Sequence, residues 1–329
     1  MTTLMLTHGD IMRVLSMRDC IDAVERAFAL DAATETIPSG VLGTHVDGGG
    51  FHVKTAGLRH GRPMFVAKVN ANFPDNPGRR GLPTIQGVIA LFDAACGTLL
   101  ALLDSGAITS LRTAGASAVA AKYLAREDAT VVTICGCGEQ GRSQLRALHT
   151  VRALRVVYAV DSDTARAARF AAEMSRELGL EATVSGDLAS AARRSDIIVT
   201  ATTSPRWLLG VGDVSPGAFI AAVGADAPEK GEIDPALMAQ SRVVVDVLAQ
   251  CERMGDLHHA ITAGAMQRED VVADLAEVVS GRKWVRRGPD DVVIFDSTGT
   301  ALQDVAAAGL AYERAVTAGL GVSIDLRAR

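Results

Sequence analysis

The stretch VVTICGCGEQGRSQL, residues 131–145, decides the fold of the central part of this chain. Gly136, Gly138 and Gly141 form the pattern G-x-G-x-x-G directly after an apolar run and before a helix-like segment. In a dinucleotide-binding turn, the first glycine permits the tight turn, the second lets a pyrophosphate approach the backbone, and the third lets helix and strand pack closely. A glycine triplet alone is more often an ordinary turn, so its meaning depends on the residues that follow.

A second strand-like run, VVYAVDSD, ends at Asp161, 20 residues beyond Gly141. A carboxylate at this distance accepts hydrogen bonds from the adenosine ribose hydroxyls of a dinucleotide. Ser162 and Asp163 follow with no arginine directly after them, which favours NAD over NADP without excluding NADP. The alternative is that Asp161 is only the N-cap of the next helix, a role that Asp163 fills equally well.

Beyond the glycine turn, strand-like and helix-like segments alternate. The strand-like runs are short and rich in Val and Ile, as expected for strands covered on both faces. They start at Thr130, Val156, Ile197, Phe219, Val243 and Val292. Between two of them, TARAARFAAEMSREL has the apolar spacing of a helix. This alternation predicts an α/β fold with a doubly wound parallel Rossmann sheet, and we assign residues 113–301 to it as an NAD-binding domain.

The N-terminal third has a different pattern. Residues 16–19 have capping-box spacing at the start of an amphipathic helix. Between about residues 41 and 103, short strand-like runs separated by Gly, Pro and Asn predict an antiparallel sheet. The alanine-rich residues 110–125 predict a buried helix that joins two domains. We therefore predict a second, α+β domain formed by residues 1–112, to which the helical C-terminal segment 302–329 returns.

The overall composition excludes several function classes. The 329 residues are 48% hydrophobic and 22% charged, with a net charge of −5 and with lysines and arginines scattered along the chain. We expect small solutes as partners, and neither nucleic acid nor a membrane. The start MTTLMLTHGD has no basic region followed by an apolar one, so we expect a cytoplasmic protein.

The cysteines indicate neither disulfides nor a metal. Five is an odd and small number for a chain of this length. Cys135 and Cys137 are separated by one residue, and no second pair of Cys or His residues has a suitable spacing. We therefore predict no metal site.

Three charged residues outside the glycine turn are candidates for chemistry, each with a structural alternative. Lys68 lies inside an otherwise apolar strand, MFVAKVNANF, although such a lysine is often solvated at a sheet edge. Arg112 is the lone cation of a segment suited to burial, so it needs either a structural carboxylate or a bound ligand. Asp226 lies just beyond a predicted parallel strand, where open α/β sheets bind ligands, although loop aspartates often only form turns.

Several long segments resemble the ornithine cyclodeaminase/μ-crystallin family, and the resemblance covers nearly the whole chain. The segments are AKVNANFPDNPGRRGLPTIQGVIALFD, GAITSLRTAGASAVAAKYLA, ICGCGEQGRSQL, VGADAPEKGEID and VVIFDSTGTALQD. Members of this family bind NAD(H) or NADP(H), exchange hydride with the Cα of an amino acid or its imine, and are dimers joined through their non-Rossmann domains. The resemblance therefore implies NAD as cofactor, an amino or imino acid as substrate, and a homodimer.

The resemblance also implies roles for individual residues. Lys68 and Arg112 would hold the substrate carboxylate, Lys68 would also be catalytic, and Asp226 would be the acid/base group. Together with Asp161 and the glycine turn of Gly136, Gly138 and Gly141, the residues implied to bind the dinucleotide are Thr84, Arg112, Thr113, Glu139, Gln140, Thr202, Val223, Lys230 and Ser297. Two fixed cations can orient a carboxylate while the flat nicotinamide faces Cα, which makes hydride transfer effectively intramolecular.

Two positions depart from the family pattern. Many members carry an arginine near residue 40 that also holds the carboxylate, whereas Gly40 or Val41 stands there. The glutamate that ornithine cyclodeaminases place ahead of the catalytic lysine aligns, with one gap, with His52. His52 and Lys54 make this wall less acidic, which disfavours ornithine's distal ammonium. Either one of them replaces the missing arginine, or His52 simply points out of a strand.

We predict an NAD(H)-dependent enzyme that acts at Cα of a small or cyclic amino acid or its imine, as an imine or ketimine reductase or an amino-acid dehydrogenase. The alternative within the family is an ornithine cyclodeaminase, which recycles NAD while forming proline and ammonia. The alternative of another class is a non-catalytic protein that binds NAD(P)H and a small ligand. Asp226 favours a catalyst over this binding protein.

Overall fold

The computed structural model describes residues 2–326 and divides into two compact units. Unit 1 comprises Met1–Arg112 and Thr300–Arg329, and unit 2 comprises Thr113–Gly299. The first boundary lies within a helix and the second in the loop after a strand. None of the helices within residues 2–326 has the length and apolar character needed to cross a membrane.

Strands and helices are numbered along the chain. The strands within residues 2–326 are β1 (Thr3–Leu6), β2 (Thr36–Val46), β3 (Gly49–Leu58), β4 (Met64–Asn72), β5 (Ile85–Asp93), β6 (Leu99–Asp104), β7 (Val131–Cys135), β8 (Val156–Val160), β9 (Glu181–Val184), β10 (Ile197–Thr200), β11 (Phe219–Ala222), β12 (Arg242–Val245), β13 (Ala273–Asp274), β14 (Val293–Asp296) and β15 (Val322–Ile324). The α-helices are α1 (His8–Val14), α2 (Met17–Ala32), α3 (Asn76–Arg80), α4 (Ser105–Leu124), α5 (Glu139–Val151), α6 (Thr164–Leu178), α7 (Leu188–Ala192), α8 (Pro235–Gln240), α9 (Leu248–Cys251), α10 (Asp256–Thr262), α11 (Leu275–Val279) and α12 (Ala301–Ala318).

Unit 1 contains a mixed sheet in the order β15-β1-β6-β5-β4-β3-β2. Strands β2 to β6 pair antiparallel with one another, as predicted. Outside the predicted range, the sheet continues at one end with β1, which runs parallel to β6, and with β15, which pairs antiparallel with β1. Helix α12 packs against α2, β3 and β4, and its buried face consists mostly of small residues.

The amphipathic helix predicted from the capping box is confirmed as α2. Ser16 is its N-cap, and the Ser16 and Asp19 side chains bond each other's backbone N–H groups. Ile21, Val24 and Phe28 recur on one side of the helix and are buried. Apolar burial of this face holds α2 in unit 1, since an isolated helix of this length is only marginally stable in water.

Unit 2 contains an eight-stranded sheet in the order β13-β12-β14-β11-β10-β7-β8-β9, and every neighbouring pair is parallel. The sheet grows from β7 in both directions, so the topological switch point lies between β7 and β10. All six predicted runs are strands within one residue of the expected start, and the doubly wound α/β fold is confirmed. Strands β10, β11 and β14 are buried throughout, as predicted for strands covered on both faces.

Candidate active site

The glycine turn connects β7 to α5, and each of its glycines has its own structural reason. Gly136 has φ +98°, in the left-handed region that favours glycine, and a Cβ there would lie 2.4 Å from the Ala201 carbonyl oxygen. A Cβ on Gly141 would lie 2.1 Å from the Gly136 carbonyl oxygen, so glycine is needed for close packing of α5. A Cβ on Gly138 would meet no atom within 4 Å, which leaves open space at the turn. A dinucleotide turn requires this combination.

The N-terminus of α5 has amide groups that no side chain caps. Gly138 is the N-cap and offers no side-chain hydrogen bond, so the first-turn N–H groups and the helix dipole can act on an anion. Glu139 and Gln140 are the first two residues of the helix. Gln140 Nε2 is buried, and none of residues 2–326 accepts a hydrogen bond from it. These features fit a bound pyrophosphate.

Asp161 lies just after β8 and beside the glycine turn. Its Oδ2 accepts a hydrogen bond from the Cys137 N–H at 2.8 Å, and its Oδ1 accepts one from the Asp163 N–H at 2.9 Å. The alternative of a simple N-cap is wrong for Asp161, because Asp163 is the N-cap of α6 and accepts from the Arg166 N–H. Asp161 therefore fixes the turn against β8, and each carboxylate oxygen retains a lone pair for a ribose hydroxyl.

Arg166 is a positive charge near Asp161 that the sequence analysis missed. Its Nε lies 3.7 Å from Asp161 Oδ1 and 3.6 Å from Asp163 Oδ2. No arginine directly follows Asp161 in the sequence, but the first turn of α6 brings Arg166 back beside it. Its charge opposes part of the repulsion that two carboxylates would exert on a 2′-phosphate.

Three further predicted cofactor residues follow strands at the same edge of the sheet. Thr202 follows β10, Val223 follows β11 and Ser297 follows β14. These strands are parallel and adjacent in the order β14-β11-β10-β7, so their carboxyl ends meet the glycine turn at one edge. Ser297 is buried and donates to Asp246 Oδ2 at 3.0 Å. Thr202 donates to Glu232 from both its backbone N–H and its hydroxyl, each at 2.7 Å.

Asp226 and Lys230 form an ion pair in the loop after β11. Lys230 Nζ lies 2.5 Å from Asp226 Oδ1, and the Asp226 side chain is 42% exposed. The Asp226 N–H also donates to the Gly224 carbonyl oxygen, so Asp226 takes part in a turn as well. Its exposed carboxylate retains the access that an acid/base group needs.

Lys68 lies in the middle of β4 and is 2% exposed. The alternative of a solvated lysine at a sheet edge is therefore wrong, because β4 is an interior strand between β3 and β5. Burial lowers the pKa of Lys68 to about 7, and the nearby Arg112 charge acts in the same direction while Asp304 opposes it. A lysine with this pKa can hold a carboxylate and can exchange a proton near neutral pH.

Asp304, in the first turn of α12, is the counter-ion of both predicted substrate cations. Its Oδ2 lies 2.7 Å from Lys68 Nζ, and its Oδ1 lies 2.8 Å from Arg112 Nε. Arg112 Nη1 donates to Gln303 Oε1 at 2.7 Å. Burial alone would raise the pKa of Asp304, but the Arg112 and Lys68 charges hold it below its usual value. The anion that Arg112 needs is therefore a structural carboxylate.

One carboxylate pairs with two cations in this cluster, so Asp304 alone does not match both positive charges. Arg112 Nε and Nη1 are bonded to Asp304 and Gln303. Gln303 Nε2 is buried and finds no acceptor within residues 2–326. Buried charge that is only partly compensated is costly, and a ligand carboxylate would supply the missing negative charge. This cluster of unit 1 therefore fits a small carboxylate.

Strand β3 adds two nitrogen-bearing side chains beside Lys68. Lys54 lies directly opposite Lys68 in the β3–β4 ladder, and His52 lies opposite Asn70. Residues two apart on a strand share a face, so His52, Lys54 and Lys68 lie on the same face of the sheet. After burial and Arg112, the Lys54 charge also contributes to the lowered pKa of Lys68.

Two further predicted cofactor residues are Thr84 and Thr113. Thr84 belongs to unit 1, in the loop between α3 and β5, and its carbonyl oxygen accepts from the Phe73 N–H at 2.8 Å. Thr113 lies within α4 and is the first residue of unit 2. Their contribution to cofactor binding stays a prediction.

Sequence analysis did not single out Asp304, Gln303 or Glu232. Asp304 and Gln303 lie at the end of VVIFDSTGTALQD, directly before the apolar run VAAAGLA, and two polar residues beside such a run are a usable signal of a buried polar function. Glu232 is one of several acidic residues in APEKGEID, so the sequence offers no signal that distinguishes it.

A family profile and a curated relative both match nearly the whole chain. The sequence profile of the Ornithine cyclodeaminase/mu-crystallin family matches residues 1–319. An uncharacterized cyclodeaminase of Sinorhizobium fredii is 38% identical over 320 residues, which cover 95% of this chain and 96% of that protein.

Two solved structures share the whole fold. An archaeal alanine dehydrogenase dimer with bound NAD superposes with a TM-score of 0.94 at 35% identity, over 99% of this chain and 100% of that chain. The Δ1-pyrroline-2-carboxylate reductase of Thermococcus litoralis, in complex with NADH and L-proline, gives 0.93 at 31% identity, over 98% and 100%.

Proposed function

The chain belongs to the ornithine cyclodeaminase/mu-crystallin family, and we propose that it is an NAD(H)-dependent enzyme acting at Cα of a small or cyclic amino acid or of its imine. Within this class we favour an imine reductase or an amino-acid dehydrogenase. The observation that carries the proposal is the buried pair Lys68 and Arg112, which shares the single carboxylate of Asp304. The named activities of the two similar structures, and the NAD or NADH in them, support the class.

We assign substrate binding to the cations of unit 1. A substrate carboxylate bound by Lys68 and Arg112 would join Asp304 there, which gives two positive and two negative charges. Such a balance offsets much of the cost of burying the cations. The planar Arg112 guanidinium, already bonded to Asp304 and Gln303, has five N–H donors, enough to add a charge-assisted hydrogen bond to a ligand carboxylate.

We assign the dinucleotide to unit 2. The glycine turn and the α5 N-terminus would hold the pyrophosphate, Asp161 the adenosine ribose, and the loops of Thr202, Val223 and Ser297 the nicotinamide half. When bound, the cofactor supplies or accepts the hydride, which no side chain can do. Asp161 supports NAD over NADP because its carboxylate would repel a 2′-phosphate.

Two side chains can donate or accept the proton that is transferred together with the hydride. We assign the acid/base role to Asp226, whose carboxylate is partly exposed and hydrogen-bonded to Lys230. Lys68, with a pKa of about 7, can hold or release a proton near neutral pH, and its protonated form binds the carboxylate. Reduction of an imine consumes one proton at nitrogen, and oxidation of an amine releases one.

Ornithine cyclodeamination is the second candidate, and the Sinorhizobium fredii relative, named an uncharacterized cyclodeaminase, supports the reaction class but names no substrate. Against it, His52 and Lys54 share the face of Lys68. A distal ammonium group would meet like charge from Lys54 there, which disfavours ornithine as substrate.

A substrate screen tests the choice. The protein is mixed with NADH and, in turn, pyruvate plus ammonia, Δ1-pyrroline-2-carboxylate and Δ1-piperideine-2-carboxylate, and NADH absorbance is followed. Loss of absorbance with any of them supports the reductase or dehydrogenase assignment. Ammonia and proline formed from ornithine at catalytic NAD⁺, without NADH oxidation by any imine, would assign cyclodeamination instead.

An Asp226 variant separates either enzyme from a non-catalytic binding protein. Asp226→Asn removes the proposed acid/base group and is expected to lower turnover by about 10²–10⁴-fold, the usual contribution of such a group. NADH affinity should change less than about twofold because the substitution is isosteric. Asp290→Asn, at an exposed aspartate of the same unit, is the matched control and should leave both values unchanged.

We also propose a homodimer formed through unit 1. Leu42, Val53, Val69 and Val88 lie directly opposite one another across β2 to β5, on the face away from Lys68. Leu42, Val69 and Val88 are 64%, 38% and 40% exposed in the single chain, and a continuous apolar row of this kind is typical of an interface. The similar archaeal alanine dehydrogenase is a dimer.

Sedimentation tests the dimer. Val69→Lys should shift the protein towards the monomer, whereas Val316→Lys, at a 56% exposed valine on α12, should not. An active wild-type monomer at dilute concentration would contradict the proposal.

We further propose that the protein works in the cytoplasm. The support is that Cys20, Cys96, Cys135, Cys137 and Cys251 are all free thiols, the form that a reducing compartment maintains. Cell fractionation followed by immunodetection would test it.

A further inference from the structure

One fully buried carboxylate of unit 2 is not used by the proposed mechanism. Glu232 is 0% exposed, burial raises the pKa of its carboxyl, and the groups that oppose this rise among the described residues are hydrogen-bond donors and not cations. A buried charge without a cation is costly unless several donors bond to it. The donors of Glu232 are therefore informative about its role.

The Glu232 carboxylate joins the loops that follow two neighbouring strands. Oε1 accepts from the Thr202 N–H and the Thr202 hydroxyl, both at 2.7 Å, after β10. Oε2 accepts from the Gly224 N–H at 2.8 Å, after β11. A Cβ on Gly224 would lie 2.4 Å from Glu232 Oε1, so the carboxylate and this backbone are in tight contact. One side chain thus sets the separation of both loops.

The backbone at Glu232 is held in place by a second buried carboxylate, that of Asp256. Its N–H donates to Asp256 Oδ1 at 2.6 Å, and the Ile233 N–H donates to the same oxygen at 2.8 Å. The Leu257 N–H, next to Asp256, donates to Asp296 Oδ2 at 2.9 Å. Asp296 ends β14, immediately before Ser297. The network therefore connects the loops after β10, β11 and β14.

These three loops lie on one side of the switch point. Asp161 and the adenosine ribose site lie after β8, on the other side of the glycine turn, and a Rossmann sheet binds the two halves of a dinucleotide on opposite sides of this point. The loops tied by Glu232 therefore belong to the nicotinamide half, where Thr202 and Val223 are proposed to bind and Asp226 is proposed to act.

We propose that Glu232 is a positioning residue, whose carboxylate holds the loops of Thr202 and Gly224 at the separation that the nicotinamide half of the cofactor requires. This inference rests on the proposed NAD(H)-dependent function. Glu232 touches neither substrate nor cofactor in this proposal. Its loss should therefore affect binding of the nicotinamide half and spare binding of the adenosine half.

Binding of NADH and of ADP-ribose tests the proposal, because ADP-ribose has the adenosine, both phosphates and the second ribose but no nicotinamide. Glu232→Gln places an amide NH₂ among backbone N–H donors that need an acceptor. We expect the Kd for NADH to rise about ten- to hundredfold, the range for losing hydrogen bonds to a charged group. The Kd for ADP-ribose should stay within about twofold.

Glu229→Gln is the matched control, since Glu229 lies three residues earlier and is exposed. It should change neither Kd. Should Glu232→Gln not fold, the same comparison is made with Glu232→Asp, which keeps the charge but shortens the side chain by one methylene and so cannot reach both loops.

The outcomes are distinct. An unchanged NADH Kd in a folded Glu232 variant, or a parallel loss of NADH and ADP-ribose binding, overturns the positioning role. Failure of the wild-type protein to bind NADH overturns the proposed function itself.

Discussion

Replacing Asp304 with Asn would test whether this carboxylate balances the buried cations of unit 1. The substitution keeps the size and shape of the side chain and removes its negative charge. Lys68 Nζ and Arg112 Nε, now 2.7 and 2.8 Å from the carboxylate oxygens, would face a neutral group. The residue that loses its charge is 0% exposed, so water cannot replace it without rearrangement.

The expected cost is large. Breaking a buried ion pair by removing one partner costs about 3–5 kcal/mol, because the other charge stays buried without compensation. This is a substantial share of the roughly 5–15 kcal/mol that stabilises an ordinary domain. Part of the cost can be relieved, because Lys68 can release its proton, whereas Arg112 cannot.

The cost should therefore depend on pH. In the wild type, burial lowers the pKa of Lys68 from 10.5 to about 7, so the unfolded state binds more protons between these values and stability rises with pH across them. Asp304 raises the pKa of Lys68, so in Asp304→Asn that pKa falls below 7 and the rise begins at lower pH. Asp304→Asn therefore lowers the free energy of unfolding most at acid pH. The loss shrinks as the pH rises past 7, where only the cost of the uncompensated Arg112 charge remains.

Denaturant unfolding at about pH 5.5 and about pH 8.5 measures this difference, and each unit by which the Lys68 pKa falls contributes about 1.4 kcal/mol to it. Circular dichroism is the suitable signal because both tryptophans, Trp207 and Trp284, belong to unit 2. Asp75→Asn, in the exposed pair with Arg79, is the matched control and should cost less than about 1 kcal/mol. A variant as stable as the wild type at the lower pH would refute the charge balance.

Three further changes follow from the same geometry. Asp161→Ser removes a carboxylate and leaves Arg166 nearby, so kcat/KM for NADPH relative to NADH should rise at least about tenfold in a steady-state comparison. Gly138→Ala should weaken NADH binding but leave the melting temperature unchanged, because its Cβ enters open space. Gly141→Ala should lower the melting temperature, because its Cβ would lie 2.1 Å from a backbone carbonyl oxygen. A lower melting temperature for Gly138→Ala than for Gly141→Ala would contradict these assignments. The KM of an imine substrate should rise as the pH increases through about 7, where Lys68 loses its proton, and a flat KM profile would argue against a carboxylate-binding Lys68.

Unit 2 was predictable because its information is local. Each central strand is a short run of mostly buried, mostly apolar residues, and the glycine turn follows the first of them directly. The strands that were missed lie at the sheet edges. Glu181–Val184 is partly exposed, and Ala273–Asp274 has only two residues, so neither gives a clear pattern.

Unit 1 was less predictable because several of its strands depend on distant partners. β2 contains Pro38, Gly40 and Gly43, which weaken a strand prediction, and most of it is exposed in the single chain. β1 and β15 have four and three residues and form only by pairing across the chain, with β15 more than 300 residues from β1. No local pattern can specify such a pair.

Contacts between residues far apart in the chain are equally hard to predict in the candidate site. The sequence indicates that a charge is buried but does not identify its partner. Lys68 and Arg112 stand out because each is a cation in an apolar segment, so the need for an anion can be inferred. The identity of that anion cannot, because Asp304 is 192 residues from Arg112 and is brought to it by the packing of α12.

Helix α12 therefore controls both effects that set the chemistry of Lys68. Its small residues let it lie close to the sheet, and a Cβ on Gly309 would be 2.9 Å from Met64 Sδ at the start of β4. This packing helps to bury β4, and burial lowers the pKa of Lys68. The same helix carries Asp304, whose negative charge raises the pKa of Lys68. A side chain at Gly309 would have to displace the Met64 side chain before α12 could lie this close to β4. The pKa near 7 is therefore a property of this helix–sheet contact and not of the β4 sequence alone.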